Sequence, residues 1–287
     1  MLIEKGINSE SYSVEEICLV HGISRQSYYQ WKKREMKENY EEEIVLQLVH
    51  EKRKRQTKVG GKKLYKMLKL TFEGLRFRIG RDRLFNILRN NGLLVERKRR
   101  YIRTTNSNHR FWVYGNLIKE VIVEHSNQVI VGDITYIQTE EGFVYLSLLT
   151  DVYSRKIIGY DVSESLSIEG SLRALKMALG GVTKKEGMIH HSDRGIQYCS
   201  NDYTKLLHKN RIKISMAEKG NPYENAIAER VNGILKIEFL LEQRFRTKQE
   251  ARASVKEAIK IYNEERLHMS LGYITPVEKY EEKKEAA

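Results

Sequence analysis

The sequence predicts an α/β protein in which small all-α units precede a mixed five-stranded sheet with flanking helices. Residues 129–138 are rich in β-branched side chains, and two further strand-like stretches follow after short turns, which is the pattern of an antiparallel meander. From residue 168 to residue 263, helical and strand-like stretches alternate, as they do where helices cover a sheet. Ahead of the sheet, residues 13–92 carry apolar side chains at helical spacing, separated by Gly and Asn stops.

Positive charge is concentrated in one part of the chain. The 287 residues include 51 Lys and Arg against 38 Asp and Glu, a formal net charge of +13. Residues 51–100 alone carry a net charge of +14, so the rest of the chain is close to neutral. Self-repulsion on this scale disfavours a compact state, so we expect an acidic partner, with nucleic acid ahead of an anionic membrane surface.

Other classes of protein are disfavoured by composition. No apolar run approaches the roughly 18 residues of a membrane span, and no signal-peptide pattern stands at the N-terminus. The two cysteines, Cys18 and Cys199, have no metal-type spacing and are predicted to be free thiols in a reducing cytosol. The adjacent His190 and His191 have no distant partners, which is too few ligands for zinc.

Four domains are expected along the chain. They are a helix-turn-helix segment (1–40), a basic helical unit (41–102), a linker (103–124) and an α/β core with a C-terminal helix (125–287). In the first, Ser13 and Ser24 are predicted N-caps of two helices, with Gly22 in the turn between them. The second helix of such a motif enters the DNA major groove, so Arg25 and Gln26 at its start are candidates for base contacts. Helix pairs joined by Gly are as common in domains that never bind DNA, so the motif alone leaves both interpretations open.

The basic helical unit contains two predicted helices flanked by clusters of Lys and Arg. One helix follows Gly61, and the other follows Gly80 and ends at Asn91-Gly92, a good left-handed stop. A charge run is usually a solvated face, but two clusters around two short helices exceed what solubility requires, so we expect contacts with DNA phosphates. The residues expected to make them are Lys62, Lys63, Arg97, Lys98, Arg99 and Arg100.

Three carboxylates in the α/β core stand out. Asp133 lies inside an apolar strand, where an unpaired carboxylate is costly unless it is exposed, paired or bound to a metal. Asp193 directly follows a short apolar strand, and Glu229 lies on a predicted helix with Lys236 two turns further along the same face. Taken singly, each has a plain structural explanation: a solvated strand face, a turn residue paired with Arg194, or a solvated helix face.

The spacing of the three carboxylates favours one shared functional site over three separate structural explanations. Asp133 and Asp193 are separated by 59 residues, and Asp193 and Glu229 by 35, which matches the D,D-35-E arrangement of retroviral integrases and many transposases. The surrounding segments resemble the second-frame (OrfB) transposases of insertion-sequence family three. These segments are 132–136, 151–159, 191–195, 215–216, 220–226, 235–238 and 262–276. The resemblance covers the catalytic half fully and the basic helical unit more loosely. Two departures, a missing tryptophan near Asp133 and Glu224 in place of an aspartate, leave the three carboxylates unchanged.

The resemblance implies a ribonuclease-H-like core and a metal-dependent DNA transposase. Asp133, Asp193 and Glu229 would hold two Mg²⁺ or Mn²⁺ ions per active site, with Asp133 bridging both; hard cations of this kind prefer oxygen ligands. Water would be the nucleophile for strand cleavage and a DNA 3′-hydroxyl the nucleophile for strand transfer. Lys236 would contact DNA near the cut, and Arg230 and Asn225 are further candidates.

The resemblance also implies partners. We expect double-stranded DNA, both element ends and target, a homo-oligomer assembled on it, and an upstream first-frame protein as a fusion partner. The expected location is the bacterial cytoplasm at the nucleoid, with no membrane partner. Two alternatives remain: a DNA-binding regulator without catalysis, and a nuclease of the same fold that never joins strands.

Overall fold

A computed structural model describes residues 13–95, 111–182, 185–218 and 225–282. The predicted basic cluster Arg97–Arg100 lies outside these residues. The chain divides into two compact units. Residues up to Lys54 together with Met67–Leu94 form the smaller unit, and Arg55–Lys66 together with the residues from Val95 onward form the larger one. In the described part of the chain, every helix is too short or too polar to cross a membrane.

The smaller unit begins with the two helices predicted from their caps. Helix α1 (Val14–Val20) starts at Ser13, whose hydroxyl accepts from the backbone N–H of Glu16 while the Glu16 carboxylate accepts from that of Ser13, a capping box. Gly22 takes φ of 63° in the turn. The Ser24 hydroxyl then accepts from the Ser27 N–H at the start of helix α2 (Arg25–Arg55). Helix α2 runs without a break through residue 40, where the first domain was expected to end.

The remaining helices of this region also begin where the sequence predicts. Helix α3 (Gly61–Gly74) and helix α4 (Arg81–Asn90) follow the glycines, and Gly92 takes φ of 64° beyond the end of α4. Apolar side chains of α2, α3 and α4 are buried, and they are Val45, Val49, Leu68, Phe72, Leu84, Ile87 and Leu88. The buried carboxylate of Glu41 accepts a hydrogen bond of 2.7 Å from Arg83, so this charge is paired.

The larger unit is built on the predicted five-stranded mixed sheet. Its strands are β1 (Val129–Thr139), β2 (Gly142–Asp151), β3 (Ile157–Ser163), β4 (Ile189–Ser192) and β5 (Lys213–Met216). The spatial order is β3-β2-β1-β4-β5. The first three strands form the expected antiparallel meander, and β4 and β5 extend it in parallel to β1. The ends of β1 and β4 therefore point the same way.

Helices cover both faces of this sheet. They are α5 (Ile168–Gly180), α6 (Ile196–Cys199), α7 (Asn201–Lys209), α8 (Ala226–Glu238), α9 (Lys248–Glu264) and α10 (Pro276–Glu281). One buried cluster contains Ile130, Leu175 and Tyr203, and a second contains Leu146, Leu235 and Val255, with the sheet between them. The core was expected to end in one C-terminal helix, but α9 is followed by α10, which begins at a capping box between Thr275 and Glu278.

The end of the chain is attached to the sheet by side-chain amides and hydroxyls. The Asn263 amide accepts from the N–H of Ile157 and donates to its carbonyl, both at 2.9 Å, at the start of edge strand β3. The Tyr262 hydroxyl donates to the carbonyl of Arg155 at 3.0 Å. Both residues belong to the segment 262–276 that resembles the transposases. Their contacts indicate that they have a structural role in this segment and not a catalytic one.

Candidate active site

The two aspartates lie side by side where the parallel pairing of β1 and β4 ends, with Asp133 inside β1 and Asp193 just beyond β4. Strands β1 and β4 pair in the register Gly132 with Ser192, so the next residue of each chain segment is Asp133 or Asp193. Neighbouring strands lie about 4.8 Å apart. The sequence placed each aspartate on or after a strand, and the sheet topology brings the two together.

Hydrogen bonds orient both aspartates. The Asp133 Oδ1 accepts from the N–H of Ile134 at 2.9 Å, and its Oδ2 accepts from the Asn232 side chain at 2.7 Å. The Asp193 Oδ1 accepts from the N–H of Gly195 at 2.9 Å. Each carboxylate is therefore held by amide donors, which orient it without neutralising its charge.

Helix α8 turns one polar face towards β1. The face consists of Asn225 at the N-cap and then Glu229, Asn232 and Lys236, at intervals of four, three and four residues. Asn232 donates to Asp133, and the Lys236 ammonium lies 4.6 Å from the centre of the Tyr136 ring on β1. Glu229 stands between the members of this face that contact β1, so it lies on the side of the helix that carries Asp133's partner.

The three carboxylates repel one another. Burial, followed by the negative charges of Asp193 and Glu229, raises the pKa of Asp133 to about 7, although the hydrogen bond from Asn232 acts against the shift. Burial and the charge of Asp193 likewise raise the pKa of Glu229. Lys236 is a nearby cation, and burial lowers its pKa although the charge of Asp133 opposes the shift. A group of acids that raise each other's pKa is typical of a site that takes a cation.

The donor chemistry fits a hard divalent cation, since carboxylate oxygens are the ligands that Mg²⁺ and Mn²⁺ prefer. Among the described residues, no group of three His, Cys, Asp or Glu side chains has the arrangement of a metal site.

The predicted DNA-contact residues are placed in different ways. Arg25 and Gln26 are exposed at the N-terminus of α2, and Lys62 and Arg230 are exposed as well. Asn225 is only 6% exposed, with its amide 3.5 Å from the Gly132 carbonyl, so it is directed at β1. For the residues that are exposed, contact with DNA stays a prediction.

The surroundings of Lys63 contradict the prediction that this residue contacts DNA. It is 8% exposed, and its ammonium lies 2.6 Å from the Glu238 carboxylate at the end of α8. Arg266 donates two further hydrogen bonds to the same carboxylate, at 2.9 and 2.8 Å. Burial alone would raise the pKa of Glu238, but the bonds from Arg266 and the charge of Lys63 outweigh it and lower the pKa. An enclosed ammonium that neutralises an acid has no free face for a phosphate.

Sequence reasoning missed two residues beside the carboxylates. Asn232 stands three positions after Glu229, which was a usable signal because residues three apart on a helix share a face. Tyr198 on α6 packs against the backbone of Gly132: a Cβ on that glycine would lie 3.1 Å from the Tyr198 ring. Nothing in the spacing of Tyr198 indicates this contact, which depends on how α6 folds back onto β1.

Comparison with known proteins identifies the class. The integrase core domain family matches residues 123–222 and, in a second match, residues 210–276. Among solved structures, the simian T-cell lymphotropic virus intasome in complex with PP2A regulatory subunit B56 gamma aligns with a TM-score of 0.50 and 16% identity, over 80% of this chain and 74% of that one. At this identity the likeness establishes a shared fold, which is the integrase catalytic core.

Two curated relatives are similar along almost their whole length. An uncharacterized 31 kDa protein of insertion element IS600 from Shigella sonnei is 39% identical over 272 residues, covering 92% of this chain and 98% of its own. Transposase InsF for insertion sequence IS3A from Escherichia coli (strain K12) is 30% identical over 292 residues, covering 99% of this chain and 98% of its own. The chain belongs to the IS3 family of insertion-sequence transposases.

Proposed function

We propose that this chain is a polynucleotidyl transferase that cuts DNA at the ends of its insertion sequence and joins the freed end to another strand. Asp133, Asp193 and Glu229 are its catalytic residues. The observation that carries the proposal is the pair of aspartates where the parallel pairing of β1 and β4 ends, beside a helix face with a third acid. Burial and the negative charge of Asp193 raise the pKa of both Asp133 and Glu229.

The reaction consists of two in-line displacements at phosphorus. In the first, water attacks a phosphodiester, the P–O3′ bond breaks, and the strand is left with a 3′-hydroxyl. In the second, that hydroxyl attacks a phosphodiester of another strand, a new P–O bond forms, and a 3′-hydroxyl of that strand leaves. Two bound Mg²⁺ or Mn²⁺ ions would supply the positive charge that activates the attacking oxygen and stabilises the leaving one.

The chain's own residues hold this chemistry in place. Asp133 lies on β1 beside the α8 face, and together with Asp193 and Glu229 it would hold the ions. Asn232 fixes one oxygen of Asp133, and the N–H of Gly195 fixes one oxygen of Asp193. Each oxygen of Asp133 accepts one hydrogen bond, and its second lone pair can still ligate a metal ion. Lys236, held over the Tyr136 ring, is placed to bind a DNA phosphate beside the cut.

In this proposal, DNA recognition belongs to basic and polar residues outside the carboxylate site. Arg25 and Gln26 at the start of α2 are suited to base edges, and Lys62, Arg230 and the cluster Arg97–Arg100 to phosphates. Because two element ends must be held at once, the working form is a homo-oligomer on DNA. A first-frame protein fused upstream is a further partner, and the cytoplasm, where bacterial DNA lies, is the place of action.

The test uses purified protein with Mg²⁺ or Mn²⁺ and DNA carrying both element ends, taken from the sequence that flanks the gene. Wild type is run beside Glu229→Gln and Asp193→Asn, with Asp202→Asn as a matched control because Asp202 is an exposed acid of the same unit. Cleaved and joined strands are resolved on a denaturing gel.

The proposal predicts joined products that require metal, vanish in the first two variants and persist in the control. Cleavage without joining, even with the upstream frame restored, would instead identify a nuclease. Binding without cleavage under the same conditions would identify a DNA-binding regulator. Equal joining by wild type and Glu229→Gln would remove the assigned residues from the chemistry.

A further inference from the structure

Two neighbouring tyrosines in the larger unit differ in how their hydroxyls are satisfied. Tyr203 on α7 is 1% exposed, and its hydroxyl lies 2.9 Å from Nε2 of His190. Tyr198 on α6 is 3% exposed, and its hydroxyl finds no hydrogen-bond partner among the described residues. The two rings pack edge to face with centroids 5.4 Å apart. A buried hydroxyl without a partner is unfavourable, so its retention calls for an explanation.

The Tyr198 ring lies directly against the backbone that leads into the active site. Its Cε1 would be 3.1 Å from a Cβ on Gly132, and Nε2 of His190 would be 3.2 Å from it, so a side chain at this position would crowd the aromatic layer. Gly132 is followed at once by Asp133. The helix that carries Tyr198 begins three residues after Asp193. The Tyr198 ring therefore contacts the residue before Asp133 and belongs to the helix that follows Asp193.

Electrostatics agrees with this placement. Burial, then Tyr203, and then the negative charges of Asp133 and Asp193 raise the pKa of Tyr198 well above its usual range. The hydroxyl is therefore within electrostatic reach of both aspartates and stays protonated. A protonated phenol beside two acids can only donate to them.

We propose that Tyr198 is a positioning residue whose hydroxyl donates a hydrogen bond to the Asp133–Asp193 carboxylate pair when the pair binds a divalent cation. This inference rests on the proposed function. Carboxylate oxygens that do not face the ion need hydrogen-bond donors, and the buried Tyr198 hydroxyl has one to give. Residues that orient metal ligands in this way typically change metal affinity by about 10- to 100-fold when removed.

The experiment measures thermal unfolding of the full chain as Mn²⁺ is titrated, which needs no DNA and no activity. Tyr198→Phe removes only the hydroxyl. Tyr203→Phe is the matched control, since it removes the same atom from a tyrosine whose hydroxyl is bonded to His190. Asp133→Asn reports whether the shift in melting temperature comes from the carboxylate site.

We expect Tyr198→Phe to leave the melting temperature without metal unchanged or higher, and to raise the Mn²⁺ concentration for half of the thermal shift about tenfold or more. Tyr203→Phe should lower the melting temperature without metal and leave the Mn²⁺ dependence as in wild type. If Tyr198→Phe responds to Mn²⁺ as wild type does while Asp133→Asn loses the response, the role of Tyr198 is wrong and the metal site stands. If wild type shows no response, both the metal site and the inference fail.

Discussion

The two ends of helix α8 carry a glutamate each, and the two are treated in opposite ways. Near the start, Glu229 lies with Asp133 and Asp193, and the pKa values of Glu229 and Asp133 are raised by burial and mutual repulsion. At the end, Glu238 is clamped by Arg266 and Lys63, and its pKa is lowered. Acids that raise one another's pKa mark a site suited to a cation, whereas an acid bound by two cations marks a structural junction.

The same distinction between an exposed and an enclosed charge applies to two residues that look alike in the sequence. Lys62 and Lys63 are neighbours in one basic run, yet the first is exposed and the second is enclosed with Glu238. The run therefore has two roles: one lysine is available to DNA and the other fastens residues 55–66 to the end of α8. Substitutions on each side of this contrast should therefore have different effects.

Removing a carboxylate at the start of α8 should abolish chemistry without unfolding the protein. Glu229→Gln should reduce the rate of strand transfer by about a thousandfold. Metal ligation contributes several kcal/mol of transition-state stabilisation, and each loss of about 1.4 kcal/mol lowers the rate roughly tenfold. Urea unfolding should be unchanged within about 0.5 kcal/mol, because Glu229 is exposed. Single-turnover joining rates and unfolding curves check the two parts. Retained joining activity, or a large loss of stability, would contradict a catalytic role for Glu229.

Removing the carboxylate at the other end should do the reverse. Glu238→Gln leaves Lys63 and Arg266 enclosed without their anion, and breaking a buried pair of this kind costs about 3 kcal/mol. Urea denaturation of the metal-free protein measures the loss. Glu257→Gln is the control, since its ion pair with Arg55 is exposed and should be worth less than about 1 kcal/mol. Equal effects of the two changes would show that the Glu238 cluster is not a structural junction.

The repulsion at the active site predicts a pH dependence of stability without metal. Burial raises the pKa of Asp133 to about 7, above its value in the unfolded chain. A raised pKa means that the folded state binds the extra proton, so the stability from protonated Asp133 is present at low pH and is lost as pH rises through about 7. Asp133→Asn should therefore be more stable than wild type at pH 8 by about 1 to 2 kcal/mol, a figure reduced because the carboxylate is partly exposed.

Melting curves at two pH values check this. The advantage of Asp133→Asn over wild type should shrink between about pH 8 and about pH 5. Asp202→Asn, which changes an exposed acid at the start of α7, should show no such trend. An advantage that is the same at both pH values would mean that Asp133 does not titrate in this range.

The two adjacent lysines provide the smallest expected effect. Lys62→Ala should weaken DNA binding severalfold, with the slope of log affinity against log salt reduced by about 1, as for one lost phosphate contact, and should leave stability unchanged. Lys63→Ala should lower stability and leave the salt slope as in wild type. Fluorescence anisotropy at several salt concentrations measures the slopes. A reduced slope for Lys63→Ala would return this residue to the DNA-contact set.

Much of the fold follows from local sequence. The first two helices start at the predicted caps Ser13 and Ser24, and the sheet has the expected five strands. These features depend on neighbouring residues, through hydrogen bonds at helix ends and alternation along strands. The spacing of the three carboxylates was readable as well, and the β1–β4 register explains why Asp133 and Asp193 meet.

The features that sequence missed depend on distant contacts. The burial of Lys63 comes from Glu238, which lies 175 residues away, and no local pattern distinguishes Lys63 from Lys62. The unpartnered hydroxyl of Tyr198 depends on how α6 packs against Gly132. Helix α10 was missed because its six residues are too few for a periodic pattern, although Thr275 and Pro276 form a legible start.

The most direct test of the contrast is to locate a divalent cation on the protein. Crystals soaked in Mn²⁺ would be measured for anomalous scattering, with Glu229→Gln as a comparison. We expect an anomalous peak between the carboxylates of Asp133 and Asp193, weaker or absent near residue 229 in the variant, and no peak at Glu238. A peak at Glu238, or no peak at the two aspartates in the wild type, would contradict it.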